Sequence, residues 1–591
     1  MYTTRCFAAA FAVVLILGAG PASPAEPGKP NVVLILTDDQ GWGDVRSHDN
    51  DLVDTPVHDR LASQGARFDR LYVSPVCAPT RASLLTGRYH LRSGVHGVTR
   101  AYETMRAEEV TVAEVFRSAG YATGCFGKWH NGAHFPNHPN GQGFEEFVGF
   151  CGGHWTLYFD TRLEHNGRPI KTTGYIADVL TDAALSFLRK NKDRPFLLYL
   201  PYNTPHSPFQ VPDRYFDKYK ARGLDDTLAC VYGMVENIDD NLGRVLAALD
   251  ELKLADDTVV VFTTDNGPNT ERFNGGMRGR KGSVHEGGVR VPLFIRWPGH
   301  VRPGTTVTQI ASHIDLLPTL VELCGVPMPE TLPLDGVSLV PLLEGQTADW
   351  PDRMIFSHWM GGEQVLPNRG SVRSQRYRGV FERKGWQLYD MVDDPGETKD
   401  LAGEQAETLD KLRAAYDAWF ADVTRAGFDP IPVPVGHPER PLVVLPGHEA
   451  FLHPAMGEGI SYGGRAGWAN DWVANWTSLD SYPRWEVDVV RGGRYEITLM
   501  YVCPAADVGS KIRVEVGGKS LEGVVREAYD PPPIPRPDRV PLKEAMDRLW
   551  APLPLGTVEL PKGRTQLAVK AVSLAGRKVM DLKAVRLRRV E

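Results

Sequence analysis

A lone thiol, a proline turn and a cation stand together in Cys77-Ala78-Pro79-Thr80-Arg81. The chain then runs through the short apolar stretch Ala82–Leu85 and closes on Thr86-Gly87-Arg88. Pro79 fixes the backbone just past Cys77, so the residues after it can enter a helix with Cys77 near its N-terminus. There the helix dipole and Arg81 both favour negative charge on a nucleophile. A lone cysteine is more often a small buried hydrophobe. The chemical reading therefore depends on what the rest of the chain supplies.

Carboxylates follow two apolar runs. Asn31–Thr37 and Thr258–Thr264 have the continuous hydrophobicity of buried parallel strands; Asp38-Asp39 follow the first and Asp265-Asn266-Gly267 the second. Open α/β sheets place their ligands at such carboxyl ends. Asp38, Asp39, Asp265 and Asn266 together make an all-oxygen cation site of the kind that suits Ca²⁺ or Mg²⁺. Alone, Asp38-Asp39 reads equally well as a solvated acidic turn.

Cations and imidazoles recur at similar places. Lys128 and His130 come just after a short strand, Tyr121–Phe126. His206 lies in the proline-fenced loop Pro201–Pro208, after the strand Phe196–Leu200. Lys281 belongs to the basic, glycine-rich stretch Met277–Pro292, which allows close backbone approach to an anionic group and, by itself, also reads as a mobile basic loop.

The elements that must position these groups alternate. Thr111 and Glu114 form a capping box that opens a helix, Ile176 to Phe187 show helical spacing, and Met234, Ile238, Leu242, Val245 and Leu249 mark one core face of a long helix. A strand at Val291–Trp297 and a helix starting at His313 complete the alternation. This predicts an α/β fold with a large sheet sandwiched by helices.

The motifs, in this order and over roughly residues 30–420, resemble the formylglycine sulfatases of the alkaline-phosphatase-like superfamily. Asp38-Asp39, the Cys77–Arg88 signature, Gly127-Lys128-Trp129-His130, the loop bearing His206, Asp265-Asn266, and Lys281 before Glu286-Gly287-Gly288 carry the resemblance. Thr80 stands where serine is common and Asn131 where leucine is usual. Leu388-Tyr389-Asp390-Met391 resembles the closing segment of the family's small α+β C-terminal subdomain. The resemblance implies a sulfuric ester hydrolase in which Cys77 is oxidised to formylglycine by a formylglycine-generating enzyme. It implies Ca²⁺ held by Asp38, Asp39, Asp265, Asn266 and the modified Cys77, with Lys128, Lys281 and Arg81 on the sulfate oxygens. His206 with Lys281 would protonate the leaving oxygen, and His130 would assist release of sulfate. The implied substrate is a sulfated carbohydrate or aryl sulfate. A phosphate or phosphonate ester hydrolase on the same scaffold, and a non-catalytic glycan-binding protein with unmodified Cys77, stay open.

At 591 residues the chain calls for two or three domains. Its net charge of −7 gives no reason to expect nucleic-acid binding. Residues 1–25 read as a secretory signal, with an apolar run too short to anchor in a membrane, so export to the periplasm or medium is expected. The expected divisions are a catalytic α/β subdomain at 26–340, a C-terminal subdomain at 341–428, a proline-rich linker at 429–447 and a β-sandwich at 448–591. The sandwich looks like the carbohydrate-binding-like modules of extracellular polysaccharide enzymes. In it, Trp468, Trp472, Trp476 and Trp485 are candidate sugar-stacking platforms or, equally, core filling. The six cysteines after residue 25 are scattered; any disulfide stays unassigned, as does the oligomeric state.

Overall fold

The structure, a computed structural model, describes residues 28–590 apart from 363, 383–384, 455, 465 and 543–545. The expected signal segment lies outside the described residues.

Four parallel strands form the centre of the large sheet: β1 (Asn31–Thr37), β2 (Ala122–Lys128), β3 (Phe196–Pro201) and β4 (Thr258–Thr264). They lie side by side in the order β4-β1-β3-β2, within a mixed sheet of eleven strands among the described residues. Because side chains alternate along a strand, β1 feeds two cores. Val33 and Ile35 pack with the helices Ile176–Asn191 and Asp226–Glu251 on one face. Val32, Leu34 and Leu36 pack with Val112–Ser118 and Leu316–Leu323 on the other. Each such buried side chain contributes about 1.5–3 kcal/mol. With both faces covered, only the strand ends are left to carry chemistry.

The expected capping box is present: Thr111 N donates to Glu114 Oε2 at 2.8 Å, and Glu114 N to Thr111 Oγ1 at 3.3 Å. The strand expected at Tyr121–Phe126 runs on to Lys128, which is therefore a strand residue and not part of a loop. Gly127 explains the extension. A Cβ there would run into the Pro201 carbonyl of the neighbouring strand, so only glycine lets the two backbones pair so closely.

A four-stranded antiparallel sheet (Ile355–His358, Gly370–Arg373, Tyr377–Glu382, Gly385–Asp390) and the helix Ala406–Val423 make the small subdomain. It is tied to the large domain by buried charge: Arg378 Nη1 lies 2.7 Å from Glu286 Oε2, and Arg373 Nε donates to the Tyr72 hydroxyl at 3.0 Å.

Beyond it, among the described residues, two six-stranded sheets enclose a separate core that includes Trp476 and Trp485. The expected linker 429–447 is corrected by this structure. Val433–Val435 pairs with Tyr482–Val489 in one sheet, and Leu442–Pro446 pairs with Asp581–Arg589 in the other. Proline lacks a donor but is tolerated on short edge strands. The proline run is thus sandwich structure, not a free spacer. The six described cysteines carry no disulfide, and among the described residues no helix is long and apolar enough to cross a membrane.

Candidate active site

Cys77 is the first residue of α1 (Cys77–Thr86), whose residues are all buried and whose end is closed by Gly87 in the left-handed region. The helix start sits over the carboxyl ends of β1 to β4. Asp38 N donates to Thr204 O at 3.1 Å and Asp265 N to Thr37 O at 3.1 Å, which joins the three strand-end loops. Candidate ligand atoms of Asp38, Cys77 and Asp265 lie within 4.8 Å of one another, as do those of Asp38, Asp39 and His206. Asp39 occupies left-handed backbone (φ 69°), as does His130 (φ 65°), a conformation that aspartate and histidine adopt more readily than most residues.

Each carboxylate has a cation. Lys128 Nζ is 2.6 Å from Asp38 Oδ2, Lys281 Nζ is 2.6 Å from Asp39 Oδ1, and Arg81 Nη2 is 2.8 Å from Asp265 Oδ2. Arg81 also donates from Nε to Asp265 Oδ2 (3.1 Å) and from Nη1 to the Lys128 carbonyl (2.7 Å). Asn266 Nδ2 donates to Asp39 Oδ1 at 2.8 Å. His206 Nε2 is 3.7 Å from Asp39 Oδ2, while its Nδ1 meets the Ser207 carbonyl at 2.6 Å. His130 Nε2 meets the Val98 carbonyl at 2.9 Å, against Gly153, where any Cβ would overlap the ring.

Above these residues is a cavity of about 420 Å³, lined by Asp39, Cys77, His130, His206 and Lys281 among others. Lys281 is the lysine or arginine among its described lining residues. Arg81 and Lys128 lie below, occupied with carboxylates. Arg81 turns its guanidinium to Asp265 and the Lys128 carbonyl, and burial pushes the Cys77 thiol up despite the favourable charges of Lys128 and Lys281. An unmodified Cys77 is a protonated, weakly nucleophilic thiol.

Burial shapes the other groups too. It raises Asp38, but Lys128, His206, Arg81 and Lys281 outweigh it and hold that carboxyl well below the usual range. Burial and the Asp38 charge push Asp265 up to about 7. Burial and then Lys281 lower His206 to about 4, and burial with Lys128 puts His130 well below its ordinary value. Burial would lower Lys281, yet Asp39, Cys77 and Asp38 hold it above the ordinary ammonium range. At neutral pH both imidazoles are neutral and Lys281 is charged.

The structure thus brings together all ten sequence-derived positions. Sequence reasoning had passed over Phe209, Asn269, Thr270, Trp359 and Leu542 as cavity residues. Asn269-Thr270 directly follow Asp265–Pro268 and Trp359 directly precedes Met360-Gly361-Gly362, a glycine-rich stretch open to a ligand, so their neighbourhood is a usable signal. Nothing in the sequence pointed to Leu542.

Comparison with known proteins agrees with this geometry. Residues 30–326 match the family model described as Sulfatase, and residues 280–417 match N-sulphoglucosamine sulphohydrolase, C-terminal. Human arylsulfatase A is 34% identical over 477 residues, covering 68% of this chain and 89% of that protein. Dog N-acetylgalactosamine-6-sulfatase is 33% identical over 378 residues, covering 57% of this chain and 71% of that protein. The structure of Ps i-CgsB in complex with k-i-k-neocarrahexaose superposes with a TM-score of 0.63 at 29% identity, covering 68% of this chain and 95% of that chain. The chain belongs to the sulfatase family, on the alkaline-phosphatase-like fold. It is a sulfuric ester hydrolase. Both family matches end before residue 418, so the sandwich lies outside them.

Proposed function

We propose that the sulfate is carried by a carbohydrate, that residue 77 works as formylglycine, and that the site takes Ca²⁺. One observation carries the metal reading: Asp38 Oδ1, Asp39 Oδ2 and Asn266 Oδ1 are buried without a hydrogen-bond partner. Such orphaned acceptors are costly, and three hard oxygens beside the Cys77 position fit a divalent cation better than they fit water or a transition metal. Asp38, Asp39, Asp265, Asn266 and the oxygen of modified residue 77 would hold it. When bound, the cation lowers the proton affinity of the attacking oxygen.

The chain's own residues do the rest. Hydrated formylglycine offers two hydroxyls, one to attack sulfur and one whose deprotonation drives sulfate off. Lys281 faces the cavity and takes the sulfate oxygens; Lys128 adds charge from behind Asp38. Arg81 is a positioning residue that fixes Asp265 and the Lys128 backbone. Lys281 and His206 together protonate the leaving oxygen, Lys281 being the standing proton donor. His130 serves as a neutral base for the second hydroxyl, a role supported by its Nε2 being bonded to Val98 O and its Nδ1 having no partner.

A saccharide suits the cavity's volume, which lies in the range of small-ligand sites, and accords with the neocarrahexaose complex of the structural relative. Residues 1–25 would direct export, and a formylglycine-generating enzyme would act on the chain during maturation. The test is hydrolysis of aryl sulfate, sulfated oligosaccharides, phosphate and phosphonate monoesters side by side. Sulfate release at the highest kcat/KM is expected; preference for phosphonate would overturn the reading.

A further inference from the structure

Of the four candidate sandwich tryptophans Trp468, Trp472, Trp476 and Trp485, the last three are structural. Trp476 and Trp485 are 0% and 1% exposed and pack in the sandwich core, and Trp472 is 7% exposed. Trp468 is 45% exposed and lines the cavity over Cys77, as does Trp359 from the small subdomain. An exposed aromatic ring at the rim of a ligand-sized cavity, outside the sandwich core, is in reach of a ligand bound there.

The loop that carries Trp468 is built into the catalytic domain. Its described residues lie between the short strands Ser461–Tyr462 and Val473–Ala474. Internally, the Asp471 carboxylate accepts from Gly464 N at 2.8 Å and from Trp472 N at 2.9 Å, and Asp471 N donates to Trp468 O at 2.9 Å. Externally, Thr99 donates through Oγ1 to the Gly467 carbonyl, and Asn470 Nδ2 donates to the His154 carbonyl at 2.7 Å. Both anchors adjoin the chemistry. Thr99 follows Val98, whose carbonyl holds His130, and the His154 ring is 5.8 Å from that of His206. Ala469, beside Trp468, also lines the cavity.

We infer that Trp468 is a specificity-determining residue which the sandwich contributes to the active site, stacking on a sugar ring of the saccharide that carries the sulfate. The sandwich is then a wall of the catalytic pocket and not a separate anchoring module. The aromatic face suits the apolar face of a pyranose, while the anionic sulfate is taken by Lys281 on the floor. This inference rests on the sulfated-carbohydrate reading above.

The test compares kcat/KM for neocarrahexaose and other sulfated di- to hexasaccharides with kcat/KM for 4-nitrophenyl sulfate, in wild type, Trp468→Ala, Trp468→Phe and Leu479→Ala. Loss of an aromatic anchor should lower the saccharide-to-aryl ratio roughly tenfold in Trp468→Ala, with most of it restored in Trp468→Phe. Leu479, 49% exposed elsewhere on the sandwich, should leave the ratio unchanged. An unchanged ratio in Trp468→Ala at wild-type Tm overturns the inference. So does wild-type turnover of the aryl ester with none of the saccharides. Absence of sulfate release from every ester instead sinks the hydrolase reading beneath it.

Discussion

Lys281 Nζ lies 2.6 Å from Asp39 Oδ1, so the cation that faces the substrate cavity is tethered to a carboxylate of the candidate metal site. Substrate charge and metal charge are therefore read by one connected group of side chains, and disturbing either should be felt at the other.

The proton donor is testable through leaving groups. Lys281→Ala and His206→Ala should each lower kcat on an alkyl or sugar sulfate by roughly 10²–10⁴, the usual worth of general acid catalysis. The loss on 4-nitrophenyl sulfate, whose phenolate leaves without help, should be at least tenfold smaller. Equal losses on both esters would remove these residues from the acid role.

Metal removal should be visible without turnover. Chelation with EGTA should lower Tm and added Ca²⁺ should restore it; a ligand at 100 times its Kd contributes about 2.7 kcal/mol. Asp39→Asn should blunt the Ca²⁺-dependent shift. If Tm is indifferent to EGTA and Ca²⁺ alike, the three orphaned oxygens do not bind a cation.

Arg81 is fully buried in its pair with Asp265. Removing one partner of such a pair leaves an uncompensated charge, so Arg81→Ala should cost about 3–5 kcal/mol of stability. The denaturant midpoint would report this. A cost near that of a surface substitution would show that Asp265 does not depend on Arg81.

The interface between the catalytic domain and the sandwich should weaken as pH rises from about 4.5 to about 8. Burial pushes Glu449 up to about 8, and burial with the Glu449 charge pushes Glu103 up to about 8 against a partial offset from Arg100. A folded pKa above the ordinary value of 4.5 favours the protonated, folded form. This stability is fully present below about pH 4.5 and is lost as pH rises through about 8, at about 1 kcal/mol per pH unit for each group. Tm should fall across that window, and Glu449→Gln should flatten the slope. Parallel slopes for variant and wild type would contradict it.

Much of the catalytic domain was legible in the sequence because its central strands are buried on both faces and read as unbroken apolar runs. Asn31–Thr37 and Thr258–Thr264 have the expected boundaries, and the residues after them point to the metal site. Boundaries were lost where close backbone approach decides them, as at Gly127. The proline-rich segment misled because proline content marks both spacers and edge strands, and only long-range pairing with Tyr482–Val489 and Asp581–Arg589 distinguishes them. Arg81 was visible as a cation, but whether it faces Cys77 or Asp265 depends on a partner 184 residues away. For the same reason Trp468 could not be separated from Trp472, Trp476 and Trp485 until their burial was known.

Everything here turns on the chemistry at residue 77. Mass analysis of the proteolytic peptide bearing Cys77, on protein from a host with formylglycine-generating activity, tests it directly when sulfate release is measured on the same sample. Conversion of the thiol to an aldehyde, with sulfate release proportional to the converted fraction and abolished in Cys77→Ala, is the predicted result. Full sulfate release from protein whose Cys77 remains an unmodified thiol would contradict the account.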